Sequence, residues 1–194
     1  LAETQQIDAG LRLAVGELTA VAGLFEIEKP FFGLDEERVF GEQGMQINRG
    51  VELSLAGPLT DALQLVFGTV LYDVTLTGES VDAGLLADSP VGVISRSTTL
   101  NLDYRPPWAP GWSFDLGLTS RGEQNGDARG LVTIEPRTLL DLGLRRQFSL
   151  ADNDVVIRGR LTNVTDEFGW NANSTGDYNY ISPRALTVSL RMDI

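Results

Sequence analysis

The sequence predicts an all-β protein: an antiparallel up-and-down meander of about nine long strands, patterned to cross a membrane. Three observations predict it. Apolar and polar residues alternate with period two along most of the chain. Several alternating segments reach about ten residues or more, the length of a tilted β crossing. Short turns and long loops alternate between them, as in a meander whose two ends face different compartments.

The segments fall over residues 4–15, 18–28, 43–55, 62–76, 94–104, 113–121, 131–148, 154–164 and 183–194. The first two flank a turn at Gly16, and a long connection, 29–42, follows. In the third, Ile47, Arg49, Val51, Leu53 and Leu55 alternate with Asn48, Gly50, Glu52 and Ser54. One face is therefore apolar but for Arg49, and the other is small or polar. Gly57-Pro58 marks the next turn, and Leu63, Leu65 and Phe67 then alternate with Gln64, Val66 and Gly68. The long connection 77–93 leads to 94–104, the turn 105–111 to 113–121, and the long connection 122–130 to 131–148. There Leu140, Leu142 and Leu144 alternate with Asp141, Gly143 and Arg145. A turn from Ser149 to Asn153 precedes 154–164, and 165–182 is the last long connection. The final segment alternates Leu186, Val188, Leu190, Met192 and Ile194 with Thr187, Ser189, Arg191 and Asp193. A helix would need an apolar stripe at spacings of three and four, which these segments lack.

Composition narrows the chemistry. The 194 residues are 42% hydrophobic and 22% charged, with no Cys and no His. Disulfides, thiolate or imidazole metal sites and imidazole bases are thereby excluded. Lys29 is the only lysine. No apolar stretch approaches the ~20 residues of a spanning helix. The net charge of −12 argues against nucleic acid as a partner. Among 27 acids no spacing singles out a catalytic carboxylate pair, and Asp35-Glu36-Glu37 lacks the spacing of a calcium loop. We therefore expect no enzyme, no catalytic or metal site and no cofactor. Leu1-Ala2-Glu3-Thr4 has no Met, basic region or apolar run behind it, so the chain reads as a mature piece of something longer.

Aromatic residues gather at both strand ends. Tyr104, Trp108, Trp112 and Phe148 lie near short turns; Phe31, Phe32, Tyr72, Phe168, Trp170, Tyr178 and Tyr180 lie near or in long connections. Two interfacial girdles of a barrel would look like this, as would caps on a sandwich core; the alternating connections favour the girdles.

Three motifs in order carry a resemblance. Asn48-Arg49-Gly50-Val51-Glu52-Leu53, followed by Leu59-Thr60-Asp61-Ala62-Leu63-Gln64-Leu65, resembles a hairpin of the TonB-dependent outer-membrane receptors. Leu161-Thr162-Asn163-Val164-Thr165-Asp166 resembles that family's penultimate strand, and Ser182-Pro183-Arg184-Ala185-Leu186-Thr187-Val188-Ser189-Leu190 its final one. With Trp170 between them, the siderophore-receptor branch is the nearest likeness. The resemblance implies that residues 1–194 form the C-terminal part of a 22-stranded transmembrane β-barrel, with the plug domain and earlier strands absent. It implies TonB-dependent uptake of a ferric siderophore or similar metal chelate at the bacterial outer membrane, with the C-terminus periplasmic. The implied partners are outer-membrane lipid, the receptor's own plug, TonB through the missing N-terminal region, and the barrel-assembly machinery. Members usually end on an aromatic residue, where this chain has Ile194.

On that reading Glu52, Asp141, Arg145, Arg158 and Arg160 are lumen-facing, a hydrated wall with mutual ion pairs. Arg49 would cost ~2–4 kcal/mol facing mid-bilayer lipid, so we expect it above the membrane. Ligand contact is expected in the outer loops, from Phe168, Trp170, Tyr178 and Tyr180 and from Phe31 and Phe32. These rings could equally fold the loops onto one another. Acidic residues such as Glu79, Asp82 and Asp88 make the loops a solvated face that disfavours a strongly anionic chelate. Two other architectures fit the alternation: a small autonomous barrel of eight or ten strands, with a channel or structural role, and a soluble β-sandwich binding module. The sandwich would hide its apolar faces between two layers.

Overall fold

A computed structural model describes residues 2–34, 38–151 and 153–193. Along the chain come β1 (Gln5–Val15), β2 (Leu18–Leu34), β3 (Phe40–Thr60), β4 (Leu63–Thr77), the single turn of helix α1 (Glu79–Asp82), β5 (Arg96–Tyr104) and β6 (Trp112–Arg121). They continue with β7 (Gln124–Asn125), β8 (Thr133–Ile134), β9 (Arg137–Leu150), β10 (Asn153–Thr162), β11 (Trp170–Ala172), β12 (Tyr178–Tyr180) and β13 (Ala185–Met192). Nine of them form one antiparallel sheet in the order β1-β2-β3-β4-β5-β6-β9-β10-β13. The remaining pairs, β7-β8 and β11-β12, are two-stranded hairpins inside the long connections.

The register sorts side chains into two faces. Leu11 opposes Ala22, Ala22 opposes Leu53, and Leu53 opposes Thr69. Farther along, Leu102, Leu116, Leu142 and Leu161 follow one another across four strands, and Leu161 opposes Leu186. Among the described residues no second layer covers this apolar face. Leu186, Val188 and Leu190 are 70%, 67% and 69% exposed. The sandwich alternative fails on this point, because its leucines would be buried. Few described apolar residues are buried, and Leu76, Ile134, Ala172 and Ile181 among them lie at the loop end of the strands or within the loops.

Three boundaries differ from the sequence reading. Residues 29–42 were expected as a long loop but are mostly strand: β2 continues to Leu34 and β3 starts at Phe40. Phe31 and Phe32 keep the ladder going, with a register shift between them opposite Gly44. Pro30 is tolerated because β1 reaches only as far as Glu28, which leaves β2 a free edge there. Gly57-Pro58 is not the turn. Both residues pair within β3, and the chain reverses at Asp61-Ala62. The segment expected over 131–148 begins only at Arg137, because Thr133 and Ile134 pair back onto β7. Asp35, Glu36, Glu37 and Ile194 lie outside the described residues.

Candidate binding surface

The apolar face is bounded at both ends. Near the short turns it carries Tyr104, Trp112, Phe114 and Phe148, with the Arg146 guanidinium 5.2 Å from the Trp112 ring centroid. Toward the long loops Arg49 does share this face, where Glu26 accepts from its Nε at 2.5 Å and Asp73 stands opposite on β4. Across this face Thr69, Thr98, Ser120 and Thr138 follow one another in a row, and their hydroxyls pair, Thr69 with Thr98 at 2.7 Å and Thr138 with Ser120 at 2.9 Å. Tyr72 departs from the expected outer girdle. It lies on the polar face, edge to face with Phe25 at 5.8 Å across Gly50. A Cβ on Gly50 would meet the Phe25 ring 2.2 Å away, so only glycine lets the two rings approach.

The opposite face collects the charges. Glu52, Asp141, Arg145, Arg158 and Arg160 all lie on it, since each register partner carries the parity across. Arg160 bonds Asp141 at 2.9 Å, and Arg158 reaches Asp115 at 3.4 Å. Arg145 reaches Asp103 at 3.8 Å and donates to Ser113 at 2.9 Å. Asp115 lies over Gly143 and Glu52 over Gly23, each carboxylate using room that a neighbouring side chain would take. Half-exposed pairs of this kind contribute ~0–1 kcal/mol each, so they order a hydrated wall more than they hold the sheet together.

At the long-loop end three connections, 78–95, 122–136 and 163–184, lock together. The 3%-exposed Gln124 is the joint. Its Nε2 donates to the carbonyls of Gly92 (2.8 Å) and Ala172 (2.7 Å), and its Oε1 accepts from the Ala172 N–H at 3.3 Å. Asn125 donates to the Ser89 carbonyl at 2.6 Å, and the Tyr178 hydroxyl to the Gly126 carbonyl at 2.7 Å. Gln124→Leu should therefore free the β11-β12 hairpin, at a cost of about 1–3 kcal/mol. Hydrogen exchange at the Ala172 amide checks it; unchanged protection would contradict this role.

That hairpin brings four of the expected ligand residues together. Trp170 opposes Tyr180 with ring centroids 4.0 Å apart, Tyr178 meets Trp170 edge-on at 6.3 Å, and Phe168 lies 5.8 Å from Tyr180. Phe168 and Tyr180 remain exposed. Phe31 and Phe32 do not join them. They sit in β2, on opposite faces as consecutive strand residues, and Phe32 stacks on Phe40 at 6.1 Å.

Two carboxylates tie the loop tips. Asp127 accepts from the Arg129 and Leu131 amides, and Asp177 from Asn173 and Thr175. Backbone donors, that of Leu131 foremost, lower the Asp127 pKa; the Thr175 hydroxyl, then Asn173, lower that of Asp177. A depressed folded pKa means stability that is complete above the unfolded value of about 3.9 and lost as pH falls below it. Amide protection at 127–131 and 173–177 should thus stay constant from pH 7 to about 5 and fall only under about 4. Loss already near pH 6 would contradict the assignment.

The base of the last loop rests on Asn163. It is 3% exposed with φ 48°, donates to the Glu167 and Ser182 carbonyls, and accepts from the Glu167 amide. Asp166 takes the Arg184 amide at 3.1 Å and pairs with its guanidinium at 3.6 Å. The Asn-x-x-Asp and Pro-Arg motifs thus close the two ends of one loop. Sequence reasoning missed Gln124, one polar residue in a polar connection, and Arg137, one arginine inside the strand expected over 131–148.

An uncovered antiparallel sheet, apolar on one face, charged on the other, with aromatic residues at the short-turn edge and ordered loops at the far end, is the wall of an outer-membrane β-barrel. The chain is similar to the walls of iron-chelate receptors of bacterial outer membranes. It is 28% identical over 193 residues to the ferrichrome receptor FcuA of Yersinia enterocolitica, covering 98% of this chain and 25% of that protein. It matches the ferric preacinetobactin receptor BauA of Acinetobacter baumannii with a TM-score of 0.84 and 26% identity, over 96% of this chain and 29% of that one. The ferric yersiniabactin uptake receptor FyuA of Yersinia pestis shares the fold, with a TM-score of 0.77 at 13% identity over all of this chain and 30% of that one. No family model matches the chain. It spans about a quarter of the length of the curated relative.

Proposed function

We propose that this chain is the C-terminal part of the barrel domain of an outer-membrane receptor that takes up a ferric siderophore in a TonB-dependent way. The observation that carries the reading is the two-faced, uncovered nine-stranded sheet, joined to loops that hold an aromatic hairpin over its outer end. The free edges of β1 and β13 fit a wall that continues on both sides, since backbone groups in hydrocarbon must all be paired. The plug domain and earlier strands then lie in the rest of the receptor, and TonB acts through that region. On this reading the apolar face meets outer-membrane lipid, and the short turns and the C-terminus are periplasmic. Glu52, Asp141, Arg145, Arg158 and Arg160 line the lumen against the plug. The barrel-assembly machinery inserts the whole.

Ligand contact falls to Phe168, Trp170, Tyr178 and Tyr180, whose rings offer broad apolar surface to a chelate. Phe31 and Phe32 make a lesser contribution at the tip of the β2-β3 hairpin. Deleting residues 168–180 from the intact receptor should weaken ferric-chelate binding at least about tenfold while the barrel still assembles. Binding of a panel of ferric chelates to whole cells measures this. Unchanged uptake would remove the hairpin as a ligand site.

A further inference from the structure

Arg137 opens β9 and is 7% exposed. It lines a cleft of about 630 Å³ whose walls include Ile134, Phe168, Trp170 and Tyr178. Its Nη2 donates to the Asn171 side chain, while its Nη1 is buried without a hydrogen-bond partner. The register sets Arg121 directly opposite, and among the described residues neither arginine forms an ion pair. Like charges directly across a ladder repel, and a buried unpaired donor is costly. One negatively charged acceptor oxygen relieves both.

We propose that this cleft binds a flat aromatic ligand group bearing a single oxyanion, an aryl carboxylate, with Arg137 as its anchor. The aromatic walls take the flat face, and the guanidinium takes the oxygen. Glu135 and Glu167 also line the cleft, outside ion-pair distance of Arg137, and they bar a polyanion. The cleft thereby grips one edge of a chelate in a loop region that repels high negative charge. The inference rests on the receptor reading and names the chemistry of its loop site.

The test uses the intact receptor in detergent, with benzoate as probe, benzamide as its neutral analogue and benzylammonium as its cationic one. The Trp170 fluorescence change is read as the difference from Trp170→Phe. Benzoate should quench saturably, at least about tenfold tighter than the other two, and Arg137→Gln should weaken it at least about tenfold. Arg137→Lys should restore part of the loss. Absence of a benzoate signal, equal binding of benzamide, or unchanged binding in Arg137→Gln would overturn the proposal. Should Arg137→Gln fail to assemble, Arg121→Gln serves instead: severalfold weaker benzoate binding supports the site, and unchanged binding overturns it. Ferric-chelate uptake is measured in the same cells. Uptake without benzoate binding sinks this site alone, whereas benzoate binding without uptake of any chelate sinks the receptor reading.

Discussion

Leu190→Arg is expected to reduce assembly of the receptor into the outer membrane at least about tenfold, while Ser189→Arg leaves it near the wild-type level. The two residues are neighbours on β13 and receive the same side chain, so the net charge changes equally. What the new arginine meets is set by the face. Leu190 opposes Ile157 in the apolar band, whereas Ser189 opposes Arg158 on the charged face. An arginine toward lipid costs ~2–4 kcal/mol at mid-bilayer, and each 1.4 kcal/mol is a factor of ten in an equilibrium. An arginine at position 189 is solvated by the hydrated wall, with only mild repulsion from Arg158 and Arg160. Leu53→Arg against Ser54→Arg repeats the comparison on β3. Heat-modifiable migration of the folded barrel on gels reads the outcome. Equal tolerance on both faces would refute the assignment of lipid to the leucine side.

Asn163→Val should release the loop 163–184 at a cost of about 3–5 kcal/mol. Two effects add. The left-handed backbone at φ 48° suits asparagine and strains a β-branched residue. The side chain also satisfies the Glu167 amide and the carbonyls of Glu167 and Ser182, which would be left buried and unpaired. Asn163→Gly separates the effects: it accepts the backbone but loses the bonds, so about 1–3 kcal/mol is expected. Asn163→Asp keeps the acceptor for Glu167 and sets a charged oxygen against two carbonyls, so it should behave no better than glycine. Protease nicking within 165–182 on intact cells reports the release. Wild-type resistance in Asn163→Val would contradict the role given to this residue.

The meander could be read from residue order because period-two alternation is a local property, set by the pleat and needing no knowledge of neighbours. Leu140, Leu142 and Leu144 announce their face without reference to Leu116 or Leu161. The outer half of the β2-β3 hairpin could not, because Lys29-Pro30-Phe31-Phe32-Gly33 mixes turn formers with apolar residues. What decides for strand is the partner β3, which meets Lys29 with Gln46 and Gly33 with Gly41. The candidate site was readable as composition and not as geometry. Four aromatics clustered in one connection marked it as a candidate contact region, while its β11-β12 hairpin went unread. The facing of Arg121 and Arg137 depends on the pairing of β6 with β9, which fifteen residues of intervening loop conceal. Gln124 gave no pattern at all, since its role exists only once Gly92 and Ala172 have been brought to it by other parts of the fold.

β3 has 21 residues, roughly 70 Å of extended chain, and at a tilt near 45° it rises roughly 50 Å. An apolar band about 25 Å tall leaves half of that height outside the lipid. The hairpin is therefore a mast braced by its own ladder rather than a tether. In the receptor we propose, with its long loops outward, a peptide tag or fluorophore carried at Leu34 or Phe40 would stand at a defined elevation above the membrane, useful as a ruler for distances from its surface.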